Sequence, residues 1–267
     1  MKLEVARQRS TVSSAINVLR AMTLLCEASE PLALADVAKE LGISEPTAFR
    51  VMHTLVEEGF AQTGRPRGSG WTPTMQIVNL SSAILDRSEL RKIVAPPLRE
   101  VMGHFGETVT IAEPDGDHIV FVDRIQSRSS VPFYCDIGKR LPLHAGAAAR
   151  AILAALPESD FHAYISRPLE RLTTHTRVSP ESLITDRVEI RGRGYAVSKD
   201  DVDRGISGVA VAFHNRHGVP LGSGAIANLT AQWTEQDIRV RGMALLTVAA
   251  EVNLACQHLE ANVRTFA

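Results

Sequence analysis

The run from Leu34 to Gly59 constrains this chain more than any other stretch. Leu34, Val37, Ala38 and Leu41 recur at helical spacing, so they form one apolar face. Gly42 predicts the end of that helix, because glycine takes the left-handed C-cap conformation without steric strain. Ser44 is a suitable N-cap for a second helix, and Pro46 falls in its first turn, where a missing N–H is harmless. Phe49, Met52, Leu55 and Val56 are read as its buried face, and Gly59 closes it. Two helices joined by a short glycine-led turn have the spacing of a helix-turn-helix.

The flanks extend this unit. Ser13 or Ser14 is expected to cap a preceding helix carrying Ile16, Leu19, Met22, Leu24 and Leu25, which the segment around Pro31 ends. Beyond Gly59, the β-prone runs FAQTG and WTPT flank a tip containing Arg65 and Arg67, the pattern of a hairpin wing. Met75 to about Arg91 reads as one connecting and dimer helix, and APPL at Ala95–Leu98 as the entry to another running to Phe105. From Glu107 the texture changes to short strands, an alanine-rich helix after His144, more strands, and a final helix over 235–262. Pro114-Asp115-Gly116-Asp117 marks a hairpin. The expected fold class is α+β with an antiparallel sheet. The expected division is a winged helix-turn-helix over 1–74, a linker helix over 75–91 and a second domain over 92–267.

Charge neither supports nor excludes a nucleic-acid partner. The 267 residues carry a formal charge of −1, and basic and acidic residues balance within 1–75. That excludes a uniformly basic coating protein but not one local DNA-binding surface. Cys26, Cys135 and Cys256 are widely separated and odd in number, which suggests reduced thiols in a cytoplasmic protein. No apolar run approaches the ~18 residues of a membrane span, and no signal-peptide pattern opens the chain.

Three stretches together resemble the IclR-type transcriptional regulators. LADVAKELGISEPTAFRVMHTLVEEGFA is similar to their recognition region, and IGKRLPLHAGAAARAILAALP and RGRGYAVSKDDVDRGISGVAVAF to two stretches of their effector domain. The resemblance runs from about Val12 to Cys256 in the family's order. It implies a GAF-like effector domain after the linker helix. The implied assembly is a homodimer or a dimer of dimers, acting on operons of small-molecule catabolism without a cofactor.

Chemistry nominates the DNA-facing residues. A recognition helix presents its N-terminal half to base edges. Arg50 suits guanine, Glu45 a cytosine amino group, and the Thr47 methyl or Ala48 a thymine methyl. Ser44 and the helix N-terminus suit a phosphate. His53 and Thr54 lie one turn on, Arg65 and Arg67 tip the wing, and Arg7 and Arg9 form an arm. The expected partner is palindromic or pseudo-palindromic double-stranded operator DNA.

By resemblance, the effector positions are Phe133, Ala147, Ala148, Ser198, Ile206, Gly208, Ala225 and Ala227. Amides near Gly146–Ala148 are expected to take a ligand carboxylate. The family's acid-binding members tend to be more polar where Ser198, Gly208, Ala225 and Ala227 stand. The expected effector is therefore larger or more apolar than a short keto acid, with an aromatic body and one polar end.

Other chemistries are weaker. His144, Cys135 and Asp136 lie close in sequence, but no spacing orients a base towards a nucleophile. His214 and His217 with Asp200, Asp201 and Asp203 form no closed metal-ligand pattern. The leading reading is a ligand-responsive, non-enzymatic DNA-binding regulator. The alternative is an enzyme or small-molecule carrier with an accessory helix-turn-helix.

Overall fold

The computed structural model describes residues 11–64, 70–126 and 135–260. The chain divides into two compact units, Met1–Arg87 and Ser88–Ala267. The described elements of the first are helices α1 (Ser13–Glu27), α2 (Leu34–Leu41) and α3 (Glu45–Glu57), strands β1 (Ala61–Thr63) and β2 (Trp71–Pro73), and helix α4 (Gln76–Leu85). Ala21, Leu25, Val37, Ala38, Ala48, Val51, Met52 and Leu55 close the core between the first three helices. Gly42 adopts φ 65° at the end of α2, and Ser44 precedes α3. Ser13 is already helical, and Val12 occupies the cap position.

Strands β1 and β2 pair antiparallel, with Gln62 opposite Thr72. Leu32 and Trp71 exchange both backbone hydrogen bonds, at 3.0 and 2.9 Å, which fastens β2 to the segment before α2. Gly70 is needed for that approach. Its φ is +92°, and a Cβ there would lie 2.6 Å from the Leu32 carbonyl oxygen.

The expected single helix over 75–91 is two helices. α4 ends at Leu85, and Ser88 starts α5 (Glu89–Phe105) by accepting a hydrogen bond from the Arg91 amide. α5 then runs through Pro96 and Pro97 instead of starting there. An internal proline costs about 3 kcal/mol. Burial of Leu90, Val94, Ala95, Leu98 and Val101 along one stripe offsets it.

The second unit holds a six-stranded antiparallel sheet in the order β5-β4-β3-β8-β7-β6. Its strands are β3 (Thr108–Asp115), β4 (His118–Ile125), β5 (Arg140–Pro142), β6 (Ala196–Lys199), β7 (Ile206–His214) and β8 (Pro220–Leu229). Its further helices are α6 (Ala147–Ala155), α7 (Glu158–Ile165), α8 (Pro180–Arg193) and α9 (Glu235–Ala255). α9 stops seven residues short of the expected 262. Strand alternation separates the two faces of the sheet. Gly224 approaches Leu98 of α5, while Gly208 approaches Ala147 of α6. The fold is therefore α+β with a helix-turn-helix first unit and an antiparallel-sheet second unit.

Candidate functional site

Helix α3 turns Ala48, Val51, Met52 and Leu55 inward. Glu45, Arg50, His53 and Thr54 are exposed with Ser44, and Thr47 is half-buried. Two expectations are corrected. Ala48 is fully buried and cannot meet a base, whereas Phe49, expected in the core, is 51% exposed. Both 48-51-52-55 and 49-52-55-56 are regular helical stripes. The small Ala48 lets α2 and α1 approach α3 closely, which a phenylalanine there would prevent.

Local bonds shape this exposed face. The Ser44 and Thr47 hydroxyls lie 3.0 Å apart, and the Thr54 hydroxyl donates to the Arg50 carbonyl oxygen at 2.9 Å. His53 Nε2 is 3.8 Å from the Glu57 carboxylate. Among the described residues, the Arg50 guanidinium makes no ion pair. Arg7, Arg9, Arg65 and Arg67 lie outside the described residues, as does Phe133.

In the second unit, Ala147, Ala148, Ser198, Ile206, Gly208, Ala225 and Ala227 line one cavity of about 60 Å³. Register explains the gathering. Ser198 faces Gly208, Gly208 faces Ala227, and Ala225 faces both Ala210 and Thr110 across adjacent strands. The floor therefore consists of the smallest side chains. A Cβ at Gly208 would lie 3.1 Å from Ser198 Oγ and 3.4 Å from Ala147 Cβ. The reading from sequence missed Thr110, Phe121, Cys135, Lys139, Asp201 and Asp203, which also line the cavity. Thr110 would have been found had the β3–β8 pairing been known.

The start of α6 is partly occupied. The Gly146 amide donates to Asp201 Oδ2 at 3.3 Å, so a resident carboxylate takes one of the amides expected for a ligand acid. Asp201 is held in turn by Arg150 Nη2 at 3.1 Å. Arg150 is fully buried, and its Nη1 donates to both oxygens of Asp186 at 2.6 Å. At the cavity edge, Lys139 and Asp203 pair at 3.8 Å.

The residues that suggested a nucleophile have other roles. Burial pushes the Cys135 thiol up to about 12, so it stays protonated at neutral pH. The Glu170 carbonyl can only accept, so His144 Nε2–H donates to it at 2.8 Å. His144 Nδ1 then accepts from the Tyr164 hydroxyl, also at 2.8 Å. Among the described residues, no three His, Cys, Asp or Glu side chains gather as a metal site.

Burial holds both His144 and His214 below the ordinary histidine value of 6.5. The unfolded chain therefore binds more protons below about pH 6.5, and stability should fall as pH drops through that range. Urea midpoints measured from pH 7 to pH 5 should decline. His214→Gln should remove part of that slope, and an unchanged slope would contradict this assignment.

Comparisons with known proteins agree with this architecture. Residues 14–65 match the IclR helix-turn-helix domain, and residues 82–254 match the bacterial transcriptional regulator IclR C-terminal domain. The chain is 29% identical over 247 residues to the transcriptional repressor IclR of Escherichia coli K12, covering 91% of this chain and 90% of that one. The crystal structure of the Thermotoga maritima IclR shares the fold with a TM-score of 0.77 at 24% identity, over 92% of this chain and 99% of that one. An IclR homolog from Microbacterium hydrocarbonoxydans, complexed with 4-hydroxybenzoate, has a TM-score of 0.75 at 20% identity, over 92% of this chain and 100% of that one. No described helix is long and apolar enough to cross a membrane. The family domains account for both units in order, and the chain belongs to the IclR family of bacterial transcriptional regulators.

Proposed function

We propose that this regulator represses a catabolic operon by docking α3 in the major groove of a palindromic operator and releasing it when a small ring compound fills the cavity. The observation that carries the DNA contact is Arg50, exposed on α3 and without an ion pair among the described residues. Its guanidinium suits guanine, Glu45 a cytosine amino group, and Thr47, His53 and Thr54 the adjoining edges and phosphates. Ser44 stands at the helix N-terminus, a position that favours a phosphate. Arg7 and Arg9 serve as an arm, and Arg65 and Arg67 as phosphate contacts of the wing.

Two copies act together. Helix α4 buries none of its side chains and exposes Val78, Leu80 and Ile84, with Met75 exposed just before it. We assign this apolar surface to a homodimer contact, with a dimer of dimers as the larger assembly. A two-fold dimer reads half-sites about one helical turn, or a multiple of it, apart.

The cavity suits an uncharged or weakly polar body with one polar end. By the rule of about 10–15 Å³ per water, it holds about four to six water-sized groups, the scale of one ring. The Ser198 and Thr110 hydroxyls line it without hydrogen-bond partners among the described residues, so they are available to the polar end. The Microbacterium relative is complexed with another ring compound, 4-hydroxybenzoate, which is larger than this cavity suits and carries a polar group at each end of the ring. An effector shifts DNA affinity only through its differential affinity for the two states of the protein.

Selection from random duplex DNA, followed by titration of the best site, tests this function. Arg50→Ala should lose about 1–3 kcal/mol of discrimination between that site and random DNA. Equal weakening on both would refute base reading by Arg50. Adding small ring compounds with a single polar group to the bound duplex should release it, and 4-hydroxybenzoate should act less. Tight calorimetric binding of a two- or three-carbon keto acid would contradict the ligand class.

A further inference from the structure

We propose that Phe49 reads the 5-methyl group of one thymine in each operator half-site. The inference rests on α3 being the DNA-facing helix and deepens that reading. Phe49 is 51% exposed, whereas Val51, Met52 and Leu55 of the same helix are buried. It lies among polar neighbours, with Glu45 one turn before it, Arg50 next to it and His53 one turn after it. The Phe49 and His53 ring centroids are 6.1 Å apart.

The ring's position contributes little to folding of the first unit, because water still reaches half of it. Its apolar surface is removed from water only when an apolar group meets the outer face of α3. The edges that a major groove presents are hydrogen-bond donors and acceptors, with one apolar exception, the thymine methyl. Arg50 and Glu45 answer the polar edges and Phe49 answers the methyl. A two-torsion ring loses little conformational freedom on making that contact.

Selection from random duplexes with the full chain, as wild type, Phe49→Ala and Arg50→Ala, tests the proposal. The wild type should enrich a thymine at one position per half-site. Phe49→Ala should stop selecting it while keeping the remaining positions, and Arg50→Ala should relax a different position. Replacing that thymine by deoxyuridine removes only the methyl. The wild type should weaken about fourfold per half-site, and Phe49→Ala should not respond.

The proposal is overturned if Phe49→Ala retains every wild-type preference, or if deoxyuridine weakens both proteins equally. When only Phe49→Ala is unchanged, Phe49 fails and the helix stands. When Arg50→Ala is unchanged as well, or the wild type enriches nothing, the reading of α3 fails too. Phe49→Ala should keep the wild-type melting temperature, and its unfolding would contradict the exposed position. Phe49→Leu retains an apolar contact and should keep the thymine preference.

Discussion

Arg150→Met should destabilise the second unit by about 3–5 kcal/mol, the loss expected when one partner of a buried ion pair is removed. For a unit of this size that is a fall of about 6–20 °C in Tm by calorimetry. The side chain is fully buried between α6, α8 and the loop after β6. It holds both oxygens of Asp186, lies 3.1 Å from Asp201 and donates to the Val197 carbonyl. Methionine fills similar volume but leaves two buried carboxylates. Arg177, 3.7 Å from Asp186, and Arg193, whose charge also interacts with Asp186, remain near the first of them. Adding Asp186→Asn and Asp201→Asn should recover most of the loss, since a neutral cluster needs no counter-charge. A loss below about 1 kcal/mol in Arg150→Met would show that the carboxylates reach water. Because Asp201 also accepts from Gly146 beside the cavity, the single variant should respond less to effector as well.

A loss of similar size is expected from Glu107→Ala. Glu107 is buried at the end of α5, before β3. Its Oε1 accepts from Asn228 at 2.8 Å, Trp233 Nε1 at 2.7 Å and Arg241 Nη2 at 2.7 Å. Its Oε2 accepts from Arg241 Nε at 2.6 Å. Arg241 lies 4.9 Å from the ring centroids of both Phe105 and Trp233, so one carboxylate fixes the approach of α9 to α5 and the sheet. Removing it leaves a mostly buried guanidinium hydrogen-bonded to Asp237 alone among the described residues, and an indole N–H without its acceptor. Glu107→Gln keeps an acceptor for Trp233 and should lose less. Urea titration should show the order wild type, Gln, Ala. Trp233 emission should move to the red in the alanine variant as water reaches the indole. Equal stability of the two variants would show that acceptance by the amide contributes nothing.

The helix-turn-helix was legible because its boundaries are local events. Gly42 adopts the left-handed conformation expected of it, Ser44 precedes α3 and the two strands after Gly59 pair. The phase of α3 was not legible. Hydrophobicity ranks Phe49 above Ala48, so a scale sends the ring inward. The approach of three helices around Ala21, Val37 and Ala48 admits only a small side chain there. Pro96 and Pro97 misled similarly. Proline at that point reads as a helix start, but the buried stripe of α5 outweighs a local penalty of about 3 kcal/mol each.

The cavity shows the same division. Matching stretches nominated seven of its described lining residues, yet the grouping itself depends on strand register. Thr110 reaches Ala225 across 115 positions of sequence through β3–β8 pairing. Asp201 reaches the start of α6 because Arg150, 51 positions away, holds it there. The sequence by itself determined the two-unit order and the helix-turn-helix, which rest on glycine, capping and periodicity within a few residues, and it pointed to the family through the resemblance of three stretches. Only the tertiary structure decided that Ala48 is inside and Phe49 outside, that α5 runs through its prolines and that Asp201 takes the Gly146 amide at the start of α6. Each of those outcomes depends on close packing or charge compensation between segments far apart in the chain, which local propensity does not encode.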